Sequence, residues 1–260
     1  MKSYSLRAWL LLLLPLCVAF TCSDHREPQP LRYRLKTVNY NGSYDTFYLT
    51  YDSNGRLTRY NYGPNRGAVQ YDVSYDSLNR VKQLYFIDQG LNGNFSNGYI
   101  YNQHNQLSQV ERYYLPVRIF YPLPQPSLAS TYLYDYTSTG ASTPARLTTR
   151  YTNYSLDQAY TFSGGNAIKV GDKEYTYDDK PNPYKGLFGL NLNFGLDPSY
   201  ASNEPVSPFS PSQRFTDLGV KVYNQNNITT GAKLTYNSDG LVTKIVYDNG
   251  TFEEFTYEAY

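Results

Sequence analysis

The sequence predicts an all-β protein, an antiparallel meander of repeated β-hairpins that curls into a barrel-like or open twisted sheet. Three observations predict it. One phrase recurs, as LTYDSNGRLTRY from Leu49, VSYDSLNRVKQL from Val73, YIYNQHNQLSQV from Tyr99, YTFSGGNAIKV from Tyr160 and KLTYNSDGLVTKI from Lys233, with a looser copy from Tyr132. The flanks of the phrase alternate as strands do, with Val69, Tyr71, Val73 and Tyr75 on one face and Gln70, Asp72 and Ser74 on the other. Finally, the chain holds 31 Tyr in 260 residues, and a ring with one wet tip suits a half-covered sheet face.

The first element is a leader. Lys2 and Arg7 precede an apolar run from Ala8 to Phe20, which is the layout of a secretory signal peptide over residues 1–21. That run is 13 residues long, below the 18 or so of a membrane-spanning helix. Cys22 closes the run in the stretch VAFTCSD, which resembles a bacterial lipoprotein box. Ala19 fits that pattern, whereas Phe20 and Thr21 are bulkier than usual. The resemblance implies a lipidated Cys22, and residues 22–30 read as a polar tether with two prolines. The expected location is the bacterial envelope, as an outer-membrane lipoprotein with the leaflet open.

Residues 31–260 then read as one β-repeat domain. In each hairpin Asp or Asn opens the turn by bonding its own backbone, and Gly55 or Gly240 takes the positive φ that closes it. Two irregular insertions interrupt the repeats. Residues 115–127 carry four prolines, with Phe120 and Tyr121 among them. Residues 180–211 are rich in Pro, Gly, Asn and Phe, and their apolar side chains suit a cover over one side or end of the sheet. Phe120, Tyr121, Tyr184, Phe188 and Phe194 are the candidate binding surface.

The repeats resemble the YD-repeat texture of Rhs-type shell proteins. More closely, the chain is similar to a family of Bacteroidota lipoproteins. That family combines a lipoprotein leader, copies of Y-[DN]-x-x-G-x-[LIV], a late segment like YTYDDKPNPYKGL and an NNIT element, here Tyr175 to Leu187 and Asn226 to Thr229. The resemblance implies a porin-like β fold and an envelope location, and it assigns no chemistry.

The composition excludes several function classes. Cleavage before Cys22 removes two of the 23 basic side chains and none of the 22 acidic ones, so the mature net charge is −1 and no nucleic-acid partner is indicated. With Cys22 lipidated the mature chain has no thiol for a disulfide or metal site, and no cofactor motif is present. His104 falls in a hairpin turn, and the Asp52–Gly55 turn lacks the remaining ligands of a calcium loop. The doublets Asp178–Asp179 and Glu253–Glu254 put neighbours on opposite strand faces and read as solvated charges. A lipid-spanning barrel is disfavoured because Glu254, Thr256 and Glu258 share one face of the final strand.

The expected function is therefore non-catalytic. It is a binding or scaffolding module for a glycan, peptide or protein, joined to the membrane through its lipid alone. The alternative is a polysaccharide-acting hydrolase with paired carboxylates.

Overall fold

The computed structural model describes residues 32–40, 45–62, 69–88, 94–115, 126–151, 155–188, 221–248 and 250–260. Among them lie β1 (Tyr33–Tyr40), β2 (Asp45–Tyr51), β3 (Leu57–Tyr62), β4 (Val69–Tyr75), β5 (Val81–Asp88) and β6 (Asn94–Tyr101). Next come β7 (Leu107–Leu115), β8 (Ser127–Asp135), β9 (Arg146–Tyr151), β10 (Ser155–Ser163), β11 (Asn166–Val170) and β12 (Lys173–Glu174). The last are β13 (Tyr177–Pro181), β14 (Asn226–Ile228), β15 (Ala232–Tyr236), β16 (Val242–Tyr247) and β17 (Phe252–Ala259). The chain divides into Met1–Tyr33 with Ala259–Tyr260, and Arg34–Glu258. In the first unit the Tyr260 amide donates to the Arg32 carbonyl at 3.0 Å. The second holds the rest of the sheet.

Fifteen strands form one sheet, in the order β12 to β1 and then β17, β16, β15. The chain lays down β1 to β12 as an antiparallel meander, leaves the sheet for the separate pair β13–β14, and returns as a second meander whose last strand lies beside β1. The first strand is therefore interior, and β12 and β15 are the edges. Of the two forms expected, barrel-like or open, the sheet is open.

The turns follow from the repeat. In the β2–β3 hairpin the Asp52 amide donates to the Arg56 carbonyl at 2.9 Å and the Gly55 amide to the Asp52 carbonyl at 3.0 Å. The Asp52 carboxylate accepts the amides of Asn54 and Arg56, both at 2.9 Å. Asp76, Asn102 and Asn237 do the same in the β4–β5, β6–β7 and β15–β16 hairpins. Each of the four hairpins also carries a bulge at its aromatic, which pairs Tyr51 with Leu57, Tyr75 with Val81, Tyr101 with Leu107 and Tyr236 with Val242. The Tyr160 copy differs. Ser163 pairs with Asn166, and Gly164 and Gly165 close a two-residue turn with φ of 57° and 79°.

Where the other turns use Gly55 and Gly240, two copies hold Asn79 and Asn105 at φ 61° and 62°. Asparagine tolerates this left-handed region, and its side chain is used: the Asn79 Oδ1 accepts Arg56 Nη1 at 2.6 Å. Asn79→Ala is expected to cost about 1 kcal/mol in denaturant unfolding, and Asn79→Gly clearly less. Equal losses would show that the backbone conformation is not what the position requires.

The two faces of the sheet differ. Leu35, Leu49, Leu57, Tyr60, Tyr71, Val73, Leu84, Phe95, Val242, Ile245 and Phe255 are buried in one cluster with Tyr184 and Val222. A second cluster joins Leu107, Val110, Tyr132, Leu147, Tyr160, Ala167 and Val170. Rings run across the strands: Tyr60 stacks on Tyr71 at 4.3 Å, Tyr71 meets Phe86 at 4.8 Å, and Phe86 stacks on Phe95 at 4.6 Å. The opposite face is more polar, although Tyr48 and Ile100 are exposed on it. It carries the cross-strand ion pairs Arg59–Asp72 and Lys244–Glu254, each at 2.7 Å, and the Thr37–Thr256 hydroxyl pair at 2.7 Å.

Candidate functional site

The repeat aromatics do a specific job. The Tyr75 hydroxyl donates to the Leu57 carbonyl at 2.9 Å, Tyr101 to Val81 at 2.9 Å and Tyr136 to Leu107 at 3.0 Å. In each case the acceptor is the residue that opens the second strand of the preceding hairpin. Tyr257 makes the equivalent bond to Val242 at 2.7 Å, and Tyr51 donates to Leu35, inside β1, at 2.6 Å. Burial pushes the Tyr101 hydroxyl up to about 12, so it remains a donor at any physiological pH. Arginine reinforces the same spine. Arg56 pairs with Asp52 at 2.7 Å and lies over the Tyr75 ring at 4.8 Å, while Arg80 pairs with Asp76 at 2.7 Å and lies over Tyr101 at 4.2 Å. The backbone amides of Arg56 and Arg80 hold the Asp52 and Asp76 carboxyls below the usual carboxylate range.

A second constellation ties both ends of the sheet to one small element. The halves of the late signature turn out to be partners, for Tyr177 in β13 pairs with Ile228 in β14 and Pro181 with Asn226. Asp178 accepts the Asn227 amide and Nδ2, both at 3.0 Å, and also the Tyr236 hydroxyl of edge strand β15. Toward the other end, the Tyr177 hydroxyl donates to the Ala167 carbonyl of β11 at 2.6 Å, and Asn226 exchanges bonds with Asn166 at 2.9 Å. The β13–β14 pair is thus bonded both to β11, next to one edge, and to β15 at the other.

A third constellation is a buried ion pair. Lys221 Nζ is 2.9 Å from Glu253 Oε1, with side chains only 10% and 5% exposed. Tyr247 donates to the same oxygen at 2.6 Å and Tyr184 to Oε2 at 2.7 Å. Asn182 fastens the surrounding turn, its Nδ2 donating to the carbonyls of Lys221 and Asn224 and its Oδ1 accepting the Tyr184 amide. Both oxygens of Glu253 are thus engaged by donors, the arrangement of an anchor that pins residues 182–188 and 221–224 onto β16 and β17.

The residues singled out in the sequence are dispersed. Cys22, Phe120, Tyr121 and Phe194 lie outside the described residues. Tyr184 is buried in the core, edge-on to Phe255 at 5.6 Å, so it serves packing and the Glu253 network, not a surface. Phe188 is half-buried and meets Tyr223 edge-on at 5.2 Å. His104 is an exposed turn residue beside Gln103. The acidic doublets do split between faces as expected, with Asp179 exposed beside Lys180 and Glu254 paired outside with Lys244. Glu253 corrects the expectation of a solvated charge. The signal was available, because Glu253 shares strand parity with Phe255 and Tyr257, which line the core.

No protein-family model and no curated protein matches the chain. Among solved structures it is similar to a porin-like protein from Bacteroides uniformis, at 13% identity and a TM-score of 0.35, over 87% of this chain and 96% of that one. It is also similar to part of the TcdB2-TccC3-TEV structure, at 14% identity and a TM-score of 0.31, over 76% of this chain and 10% of that one.

Proposed function

We propose that the chain is a non-catalytic scaffolding and binding module of the bacterial envelope, tethered by lipid at Cys22 and presenting its sheet to a glycan or protein partner. The supporting observation is where the reactive side chains go. The repeat tyrosines fasten one hairpin to the next, the buried carboxylate faces a lysine and two tyrosines, and Asp178 is bonded within β13–β15. The charged outer face at Arg59–Asp72 and Lys244–Glu254 suits contact with water, since a lipid-facing band would bury these ions at a cost of roughly 2–4 kcal/mol per basic residue near its midplane.

Labelled palmitate fed to cells making the full chain tests the tether. The label is expected in the wild-type protein and absent from Cys22→Ser. Equal labelling of both would remove the lipid anchor from the reading. Protease treatment of intact cells then separates a surface module, which is cut, from a periplasmic one, which is protected.

A further inference from the structure

We propose that the β13–β14 pair is a clasp that joins the two edges of the open sheet into a ring, and that it releases as one piece while the interior strands stay paired. Chain continuity places it there. Two residues separate β13 from the preceding edge strand β12, and three separate β14 from the following edge strand β15, so the clasp is built from extensions of the two edges. Those edges share no ladder with each other. They meet instead through threonines just beyond them: the Thr229 amide donates to the Thr176 carbonyl at 2.9 Å, the Thr176 amide donates to Thr230 Oγ1 at 2.7 Å, and the Thr176 and Thr229 hydroxyls lie 2.7 Å apart.

The threonine side-chain bonds are exposed, where water competes for them, so the hold of the clasp rests on its two ends. The end at β11 is buried. Asn224 is fully enclosed and its Oδ1 accepts the Ala167 amide at 2.9 Å, while the Gln225 amide donates to the Gly165 carbonyl at 2.9 Å. Gly165 allows that approach, since a Cβ there would lie 3.2 Å from the Gln225 Cβ. The end at β15 is the Tyr236 hydroxyl on Asp178, the same carboxylate that takes the Asn227 amide. Between the ends the ladder is weak, for its registered pairs are Tyr177–Ile228 and Pro181–Asn226 with an irregularity between them, and proline brings no amide hydrogen. A short ladder fastened at both ends opens cooperatively: each end holds the other at high effective concentration, and freeing one lowers the cost of freeing the other. Such an opening leaves the ladders of the fifteen-stranded sheet intact, so it costs less than global unfolding.

The clasp depends on neither the lipid tether nor a ligand, so hydrogen–deuterium exchange of the full chain in detergent, read by mass spectrometry, tests it. Tyr236→Phe removes one hydroxyl at the β15 end. Peptides covering Asn166–Val170, at the opposite end, are then expected to exchange about tenfold faster than in wild type. Tyr177→Phe removes the hydroxyl bonded to Ala167 and is expected to speed peptides over residues 229–236 by a similar factor. Peptides of β4, β5 and β6 should keep their wild-type rates in both variants. The clasp is overturned if either variant leaves the far end at its wild-type rate, or if β4–β6 accelerate as much as the clasp does.

Discussion

Lys221→Met is expected to lower the unfolding free energy by about 3–5 kcal/mol, because it leaves Glu253 buried with its cation gone. The carboxylate would keep Tyr184 and Tyr247 as donors, at 2.7 and 2.6 Å, so the lower half of that range is the expected result. The double variant Lys221→Met, Glu253→Leu should recover much of the loss, since removing both charges also removes the desolvation that the pair offsets. Chemical denaturation followed by tyrosine fluorescence measures both. A single variant within about 1 kcal/mol of wild type would mean that water reaches the pair and that the anchor is not buried in solution.

Tyr71→Ala should be comparably severe, at about 3–5 kcal/mol. The ring is almost wholly enclosed and touches three others, stacking on Tyr60 at 4.3 Å, meeting Phe86 at 4.8 Å and lying edge-on to Phe95 at 6.5 Å. Its removal opens a cavity at the centre of the larger cluster. Tyr48→Ala is the control, for Tyr48 is 40% exposed and its loss should fall within about 0.5 kcal/mol. Equal effects at the two positions would contradict the assignment of core and outer faces.

Much of the local structure was legible in residue order. The strand-turn-strand unit is written in short-range chemistry: an Asp or Asn whose side chain bonds two backbone amides, a residue able to take positive φ, and an alternating flank. The same alternation shows which tyrosines face the core, since Tyr71 and Val73 share parity and both are buried. The Tyr160 copy, with Gly164 and Gly165 in its turn, forms a hairpin as its alternating flanks predict, although its turn is two residues long and not five.

The candidate sites were less legible, because they join residues far apart in the chain. Glu253 meets Lys221 from 32 positions away and Tyr184 from 69, and no local pattern records such a meeting. Asp178 likewise finds Asn227 across 49 positions. The late signature contained both partners without stating that they pair.

By itself the sequence determined the fold class, the hairpin repeat, its turn conformations and the sorting of side chains between two faces, all of which depend on interactions within some ten residues. Only the tertiary structure decided that the sheet stays open, that β1 is interior because β17 returns to it, that β13–β14 reaches toward both ends, and that Glu253 is an anchor instead of a solvated charge. The physical reason is that strand order and buried pairing are set by contacts whose cost is the closure of long loops, and that cost leaves no periodic trace in the order of residues.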